Sequence, residues 1–306
     1  AMLRPWVVVR ERYCGMVLSC FKALTLAYSN AFAAGSAMAL VFPEIDPVAI
    51  YLGPLTVRWY GLMYLAGFAA FYWLGLRHAK RLRVTDVWSP ERLEQLLTAG
   101  VVGIIVGGRL GEVLFYQPAY YFTHPLEIVA IWKGGMSFHG GLLGAIAAML
   151  WYARRTGQNF WQVADFVAPL IPPGLGFGRI GNFINGELWG RPAPEGLPWA
   201  MIYPHVDAIP RHPSQLYQAF GEGIVLFLFL WWFARRPRPA GMVSAAFLVG
   251  YGSVRFLCEF FRNPDPGIFS AFGSLLTTAQ WLSLAMVFAG AVLTAWARHR
   301  RQPPSS

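Results

Sequence analysis

The chain has 306 residues, of which 56% are hydrophobic, 16% aromatic and only 13% charged, and its mean hydropathy is +0.43. Polar surface on that scale is too scarce for a soluble domain of this length. The formal net charge of +10 does not point to nucleic acid, because the Lys and Arg residues fall in short clusters at the ends of apolar stretches, where they orient a membrane protein beside anionic lipids.

Residues 1–37 are weakly apolar and Ala-rich, with Arg4, Arg10 and Arg12, and Met38 opens a segment that reads as a natural start. Three readings compete: a signal-like segment ending near Ala33-Ala34-Gly35-Ser36-Ala37, an extra helix, or an upstream extension from a misassigned start. We take the third. Beyond it, a membrane crossing needs roughly 20 mostly apolar residues, and seven stretches are predicted to span: 48–76, 93–117, 136–153, 160–181, 213–234, 240–261 and 276–297, the third and fourth short or broken. The expected fold is an all-α polytopic membrane protein, with residues 38–298 as one transmembrane domain and 299–306 as a cytoplasmic tail.

Arg77, Lys80, Arg81 and Arg83 follow the first span, Arg154 and Arg155 the third, Arg235, Arg236 and Arg238 the fifth, and Arg298, Arg300 and Arg301 the last. These clusters fall on one side of an alternating topology. The other side holds scattered charges, chiefly Lys133, Arg191, Arg211 and Arg262, so the positive-inside rule predicts that side, and the N-terminal end of the first span, to lie outside the cytoplasm. The longest connection, about 182–212, is rich in Pro and Gly and carries Trp189 and Trp199, residues suited to the headgroup level. No internal repeat is visible, which weighs against transporters built from paired halves.

Polar residues gather on the outer side. Gly178-Arg179-Ile180-Gly181-Asn182-Phe183-Ile184-Asn185-Gly186-Glu187-Leu188-Trp189-Gly190 ends the fourth span, after Pro172-Pro173-Gly174-Leu175-Gly176-Phe177. Irregular backbone at that depth is tolerated where it is buried in protein or lines a wet cavity, and an Arg, two Asn and a Glu there exceed what a snorkelling helix end needs. Gly134-Gly135-Met136-Ser137-Phe138-His139-Gly140-Gly141 opens the third span. His139 beside Gly140 is an accessible proton acceptor, or a histidine bonded to a backbone carbonyl at a helix entry.

Tyr251-Gly252-Ser253-Val254-Arg255-Phe256-Leu257-Cys258-Glu259-Phe260-Phe261-Arg262 closes the sixth span and puts Arg255 and Glu259 four apart on one helix face. The pair is a structural salt bridge, or part of a phosphate clamp in which Arg255 faces Arg179. Arg109 and Glu112 are expected to form another helix-face pair with a structural role. Tyr60 at the first span's outer end is a belt anchor or a ligand contact. Asp165 reads as an ordinary helix N-terminal carboxylate, and His212 as a cap or loop contact. Cys14, Cys20 and Cys258 have neither pairing nor metal-ligand spacing, so a zinc site or disulfide framework is not expected.

These segments, with Trp59-Tyr60-Gly61-Leu62-Met63-Tyr64 and Pro210-Arg211-His212-Pro213-Ser214-Gln215-Leu216-Tyr217, resemble the bacterial prolipoprotein diacylglyceryl transferase family from about Met38 to the final span. The resemblance implies transfer of an sn-1,2-diacylglyceryl group from phosphatidylglycerol to the lipobox cysteine thiol of a prolipoprotein signal peptide. Glycerol 1-phosphate leaves and a thioether remains, in the inner membrane with the site toward the periplasm. The same resemblance carries the family's phospholipid-binding arginine onto Arg179 and its second essential arginine onto Arg255. Its motif residues fall on Tyr60, His139, Asn182, Glu187, Gly190 and Glu259. Catalysis is expected from His139, Arg255 and Arg179, with no metal or organic cofactor and no nucleic-acid partner.

Two rival functions fit less of the sequence. A hydrolase using Ser137 or Ser253 with His139 lacks an acidic orienting partner, and side chains two apart on a helix diverge. An anion channel or carrier lined by Arg179, Arg255 and Arg109 sits poorly with polar residues crowded at one face.

Overall fold

The computed structural model describes residues 39–52, 55–264 and 276–300; the expectations for residues 1–37 and for most of the 299–306 tail lie outside these. The architecture is mostly helical, in chain order α1 (Trp59–Leu82), α2 (Pro90–Gly111, widening into a π-helical turn at Glu112–Tyr116), the short α3 (Pro118–Thr123), and α4 (Phe138–Thr156). Next come α5 (Phe160–Val167) and α6 (Ile171–Ile184) joined by a 3-10 turn at Ala168–Leu170. Helix α7 (Ser214–Gln218) then runs through a π-helical segment, Ala219–Val225, into α8 (Leu226–Phe233), followed by α9 (Met242–Cys258) and α10 (Thr278–His299).

Local chemistry sets most boundaries. Ser89 accepts the Arg92 N–H ahead of Pro90 at the first turn of α2, and Ser137 accepts the Gly140 N–H to start α4. Capping boxes open α5 at Asn159 and Gln162 and α10 at Thr277 and Gln280. Gly157 ends α4 in the left-handed conformation, with φ 68. The break between α5 and α6 falls at Pro169, Pro172 and Pro173, which withhold backbone donors from a continuous helix.

Three stretches among the described residues have the length and hydropathy to cross a membrane: Pro90–Tyr116 of 27 residues, Ser214–Phe233 of 20 and Thr278–His299 of 22; Met242–Cys258 is a shorter apolar helix. Helix α1 is 24 residues long, but Trp59, Tyr60, Tyr64, Tyr72 and Trp73 lower its hydropathy.

The all-α expectation needs correction. Leu40–Val41 (β1) pairs in parallel with Met201–Ile202 (β4), and Val48–Leu52 (β2) pairs antiparallel with Leu55–Arg58 (β3). The first helix therefore starts at Trp59, eleven residues later than the apolar run suggested, because a short run containing Val48, Ile50, Thr56 and Val57 satisfies a strand as readily as a helix. Strand β1 also fastens the N-terminal segment to the 185–213 loop, where Phe42 stacks on Tyr203 at 5.1 Å.

Helix pairs approach through small residues, as membrane helices do. Gly103, Gly107 and Gly111 of α2 lie against Gly140 and Gly144 of α4, so closely that a Cβ on Gly144 would overlap the Gly103 carbonyl and one on Gly107 the Gly140 carbonyl. That contact seats the start of α4 beside the end of α2. At the end of α1 away from Tyr60, Leu74 packs with Leu93, Val163 and Leu170, and Trp88 stacks on Phe166 at 4.0 Å.

Replacing Gly144 by Val should lower stability by about 1–3 kcal/mol through overpacking. Thermal unfolding in detergent reads this directly, and an unchanged melting temperature would show that α2 and α4 do not need the glycine seam.

Candidate active site

Arg179 stands on α6 where the helix has no side chain at positions 174, 176, 178 and 181. Gly176 meets Gly223 of the π-helical segment backbone to backbone: a Cβ added at Gly223 would come 2.7 Å from the Gly176 Cα. This approach brings Glu222 to Arg179, whose Nε donates to Glu222 Oε2 at 3.1 Å. Glu222 is wholly buried. The sequence reading passed over it, although a single carboxylate inside the apolar run Phe220–Leu230 is costly enough to mark a function or a partner.

Arg255 and Glu259 form the pair their spacing suggests, with Nη1 donating to Oε2 at 2.6 Å. The other oxygen of Glu259 accepts from Thr277 Oγ1 at 3.0 Å, and the same hydroxyl caps the first turn of α10 by accepting the Gln280 N–H. One carboxylate thus ties the end of α9 to the start of α10 while neutralising Arg255. Tyr251, one turn before Arg255, interacts electrostatically with Glu222, Arg179 and Arg255. Both arginines lie within electrostatic range of Tyr251, and each is paired with a carboxylate.

Asn182 donates to Glu187 Oε1 at 2.8 Å, closing a polar turn in which Leu188 takes φ 58. Gln215 and Ser214 at the start of α7 hold this turn by donating to the Glu187 and Leu188 carbonyls at 2.7 and 3.0 Å. Tyr60 packs against Gly181, where a Cβ would come 2.9 Å from its ring, and its hydroxyl is 3.3 Å from that of Tyr64. Gly190 is required by backbone: it is wedged between the His212 and Phe261 carbonyls, with no room for a Cβ. Its N–H donates to His212 O at 3.0 Å while the neighbouring Arg191 N–H donates to Phe261 O.

His139 occupies the first turn of α4, exposed, with an edge contact to Phe138. Its ring makes no hydrogen bond or ion pair with another described residue, and it is not brought into contact with either arginine. Ser137 beside it is buried, and its Oγ accepts the Gly140 N–H as the α4 cap.

The expected Arg109–Glu112 pair does not form. Arg109 donates to the carbonyls of Ile128, Gly134 and Gly135 at 2.8, 2.5 and 3.0 Å, and to those of Glu127 and Ala130. Gly134 and Gly135, with φ 83 and 75, turn both their carbonyls to it. Glu112 instead accepts from Gln117 at 3.1 Å. The role remains structural but its geometry is long-range. Asp165 likewise serves another helix, accepting the Gly241 and Ser244 N–H groups ahead of and within the first turn of α9 at 2.7 Å each.

Beside the end of α9 lies a cavity of about 400 Å³ with an apolar lining from Leu197, Trp199, His212, Tyr217, Leu257, Cys258 and Phe261. Among the described residues no group of three or more His, Cys, Asp or Glu is placed to hold a metal ion.

Partly buried guanidinium groups on two helices, each paired with a carboxylate, in a mostly helical chain with several helices apolar enough to cross a membrane, define a multi-pass membrane protein. Comparison with known proteins makes the class specific. The family model for prolipoprotein diacylglyceryl transferase matches residues 47–296, and the chain belongs to that family. It is 62% identical over 262 residues to the phosphatidylglycerol–prolipoprotein diacylglyceryl transferase of Azoarcus sp. (strain BH72), covering 86% of this chain and 98% of the relative. Proteins of the same name from Aromatoleum aromaticum and Nitrosomonas europaea are 60% and 56% identical, over 85% and 84% of this chain and 98% and 92% of theirs.

Burial holds His212 below the ordinary histidine value of 6.5, so the folded loop binds fewer protons here than the unfolded chain. Its stabilising contribution is complete above that value and is lost as pH falls through and below it. Trp199, which donates to the Tyr217 hydroxyl at 2.7 Å, should report loosening of this loop by fluorescence between pH 7.5 and 5. The transition should vanish in His212→Asn; its persistence there would assign it to another group.

Proposed function

We propose that the chain transfers a diacylglyceryl group from phosphatidylglycerol to the lipobox cysteine thiol of a prolipoprotein, the first step of lipoprotein maturation. Membership of the family supports the reaction. The observation that carries the site assignment is the pairing of Arg179 with Glu222 and of Arg255 with Glu259, both arginines within electrostatic range of Tyr251. In this reading seven helices cross the bacterial inner membrane, the N-terminal side of α1 and the 182–212 loop face the periplasm, and the C-terminus is cytoplasmic. Residues 38–298 form the transferase domain.

Displacement at a glycerol carbon needs a stabilised leaving group and a deprotonated thiol, since the thiolate is the nucleophile. A sulfur–carbon bond forms, the carbon–oxygen bond to phosphate breaks, and the thiol proton ends on the released glycerol 1-phosphate. Arg179 and Arg255 hold the phosphate and offset charge developing on its bridging oxygen, an effect worth about 3–4 kcal/mol for a single donor in comparable sites. Only Nε of Arg179 is engaged by Glu222, so the terminal nitrogens are not consumed by that pair. His139, whose ring makes no hydrogen bond or ion pair among the described residues, takes the thiol proton, or a group polarised by Arg255 does so. Tyr60, Asn182, Glu187 and Gly190 shape the turn over the headgroup, and Glu259 keeps Arg255 in place.

Replacing Arg179 by Ala should cut transfer about 10²–10³-fold with membrane insertion intact, and Lys should not restore it because a point charge lacks the planar fork. Labelled phosphatidylglycerol with a lipobox peptide is the assay. Activity retained in the Ala variant removes Arg179 from the site, and fatty acid or peptide fragments as sole products would favour hydrolysis.

A further inference from the structure

One helical turn keeps two buried polar side chains with hydrogen-bonding capacity left over. Gln218 is 1% exposed and Glu222 0%. Gln218 Nε2, a donor, and Glu222 Oε1, an acceptor, have no hydrogen-bond partner among the described residues. The other oxygen of Glu222 is spent on Arg179. Leaving one such atom unpaired is costly, and here two occur four residues apart, where α7 widens into the π-helical Ala219–Val225. Helical widenings of this kind occur frequently at functional sites.

Few small groups answer both atoms. An ammonium only donates and an alkyl group does neither, whereas water or an alcohol hydroxyl accepts from an amide N–H while donating to a carboxylate. Glu222 also joins this place to the phosphate, because the carboxylate that holds Arg179 through one oxygen offers the second. A ligand with a phosphate and a hydroxyl on neighbouring carbons matches that order of groups.

We propose that Gln218 and Glu222 read a hydroxyl of the phospholipid headgroup: Gln218 Nε2 donates to it, it donates to Glu222 Oε1, and Arg179 takes the adjoining phosphate. The inference rests on the transfer reading above and adds a source of headgroup selectivity to it. A donor lipid whose headgroup lacks hydroxyls leaves both buried atoms unpaired, and sites built to bond a hydroxyl reject analogues without it strongly.

The full chain in mixed micelles, with a tagged lipobox peptide as acceptor, is given phosphatidylglycerol or phosphatidylpropanol of identical acyl chains. The wild type should favour phosphatidylglycerol in kcat/KM by on the order of a hundredfold or more. Gln218→Leu and Gln218→Met, of different shape, should each lower that ratio at least about tenfold by losing rate on phosphatidylglycerol alone, because only that donor uses the amide. A packing defect would slow both donors equally, so equal losses, or an unchanged ratio in whichever variant melts as the wild type does, overturn the inference. So does a wild type that uses both lipids alike. Absence of any thioether product from the wild type with phosphatidylglycerol would instead remove the transfer reading, and this inference with it.

Discussion

A charge enclosed in a low-dielectric interior is costly until it is paired and hydrogen-bonded, and removing one member of such a pair leaves the other uncompensated. The arrangement around Arg179 follows from that constraint. Its guanidinium is largely enclosed, and among the described residues the carboxylate that pairs with it is the wholly buried Glu222 on another helix. The two helices must therefore come close enough for a short carboxylate to reach. Gly176 and Gly223, meeting backbone to backbone, supply the approach, and the π-helical widening of residues 219–225 carries the carboxylate.

The second pair obeys the same rule by a more local route. Arg255 and Glu259 neutralise each other along one helix face, and Thr277 uses the remaining carboxylate oxygen to anchor α10. Both arginines are thus balanced before any ligand arrives. In the proposed reaction the phosphate would use the guanidinium nitrogens that the carboxylates leave open, such as the terminal nitrogens of Arg179. Interactions that strengthen as charge grows on the leaving oxygen are the ones that raise a rate.

Arg109 shows the same economy applied to architecture. Its five donor contacts to backbone carbonyls shape residues 127–135, and the glycine seam between α2 and α4 holds the following turn, so Ser137 and His139 are delivered at a defined place. Gly190 does comparable service for the polar loop by letting the 190–191 and 261–262 segments run side by side against residue 212.

Three of the seven predicted spans, the Arg255–Glu259 pair and the polar segment at residues 178–190 were legible in the sequence, because span length and i,i+4 spacing are properties of local geometry. The hairpin before Trp59 was not, since a short apolar run is compatible with strand and helix alike. Nor were the partners of Arg179 and Arg109. Glu222 is 43 residues from Arg179 and the carbonyls that hold Arg109 are 18 to 26 residues away. Which helix faces meet, and so which buried cation finds which acceptor, depends on where glycines let backbones touch, and only the tertiary structure decides that.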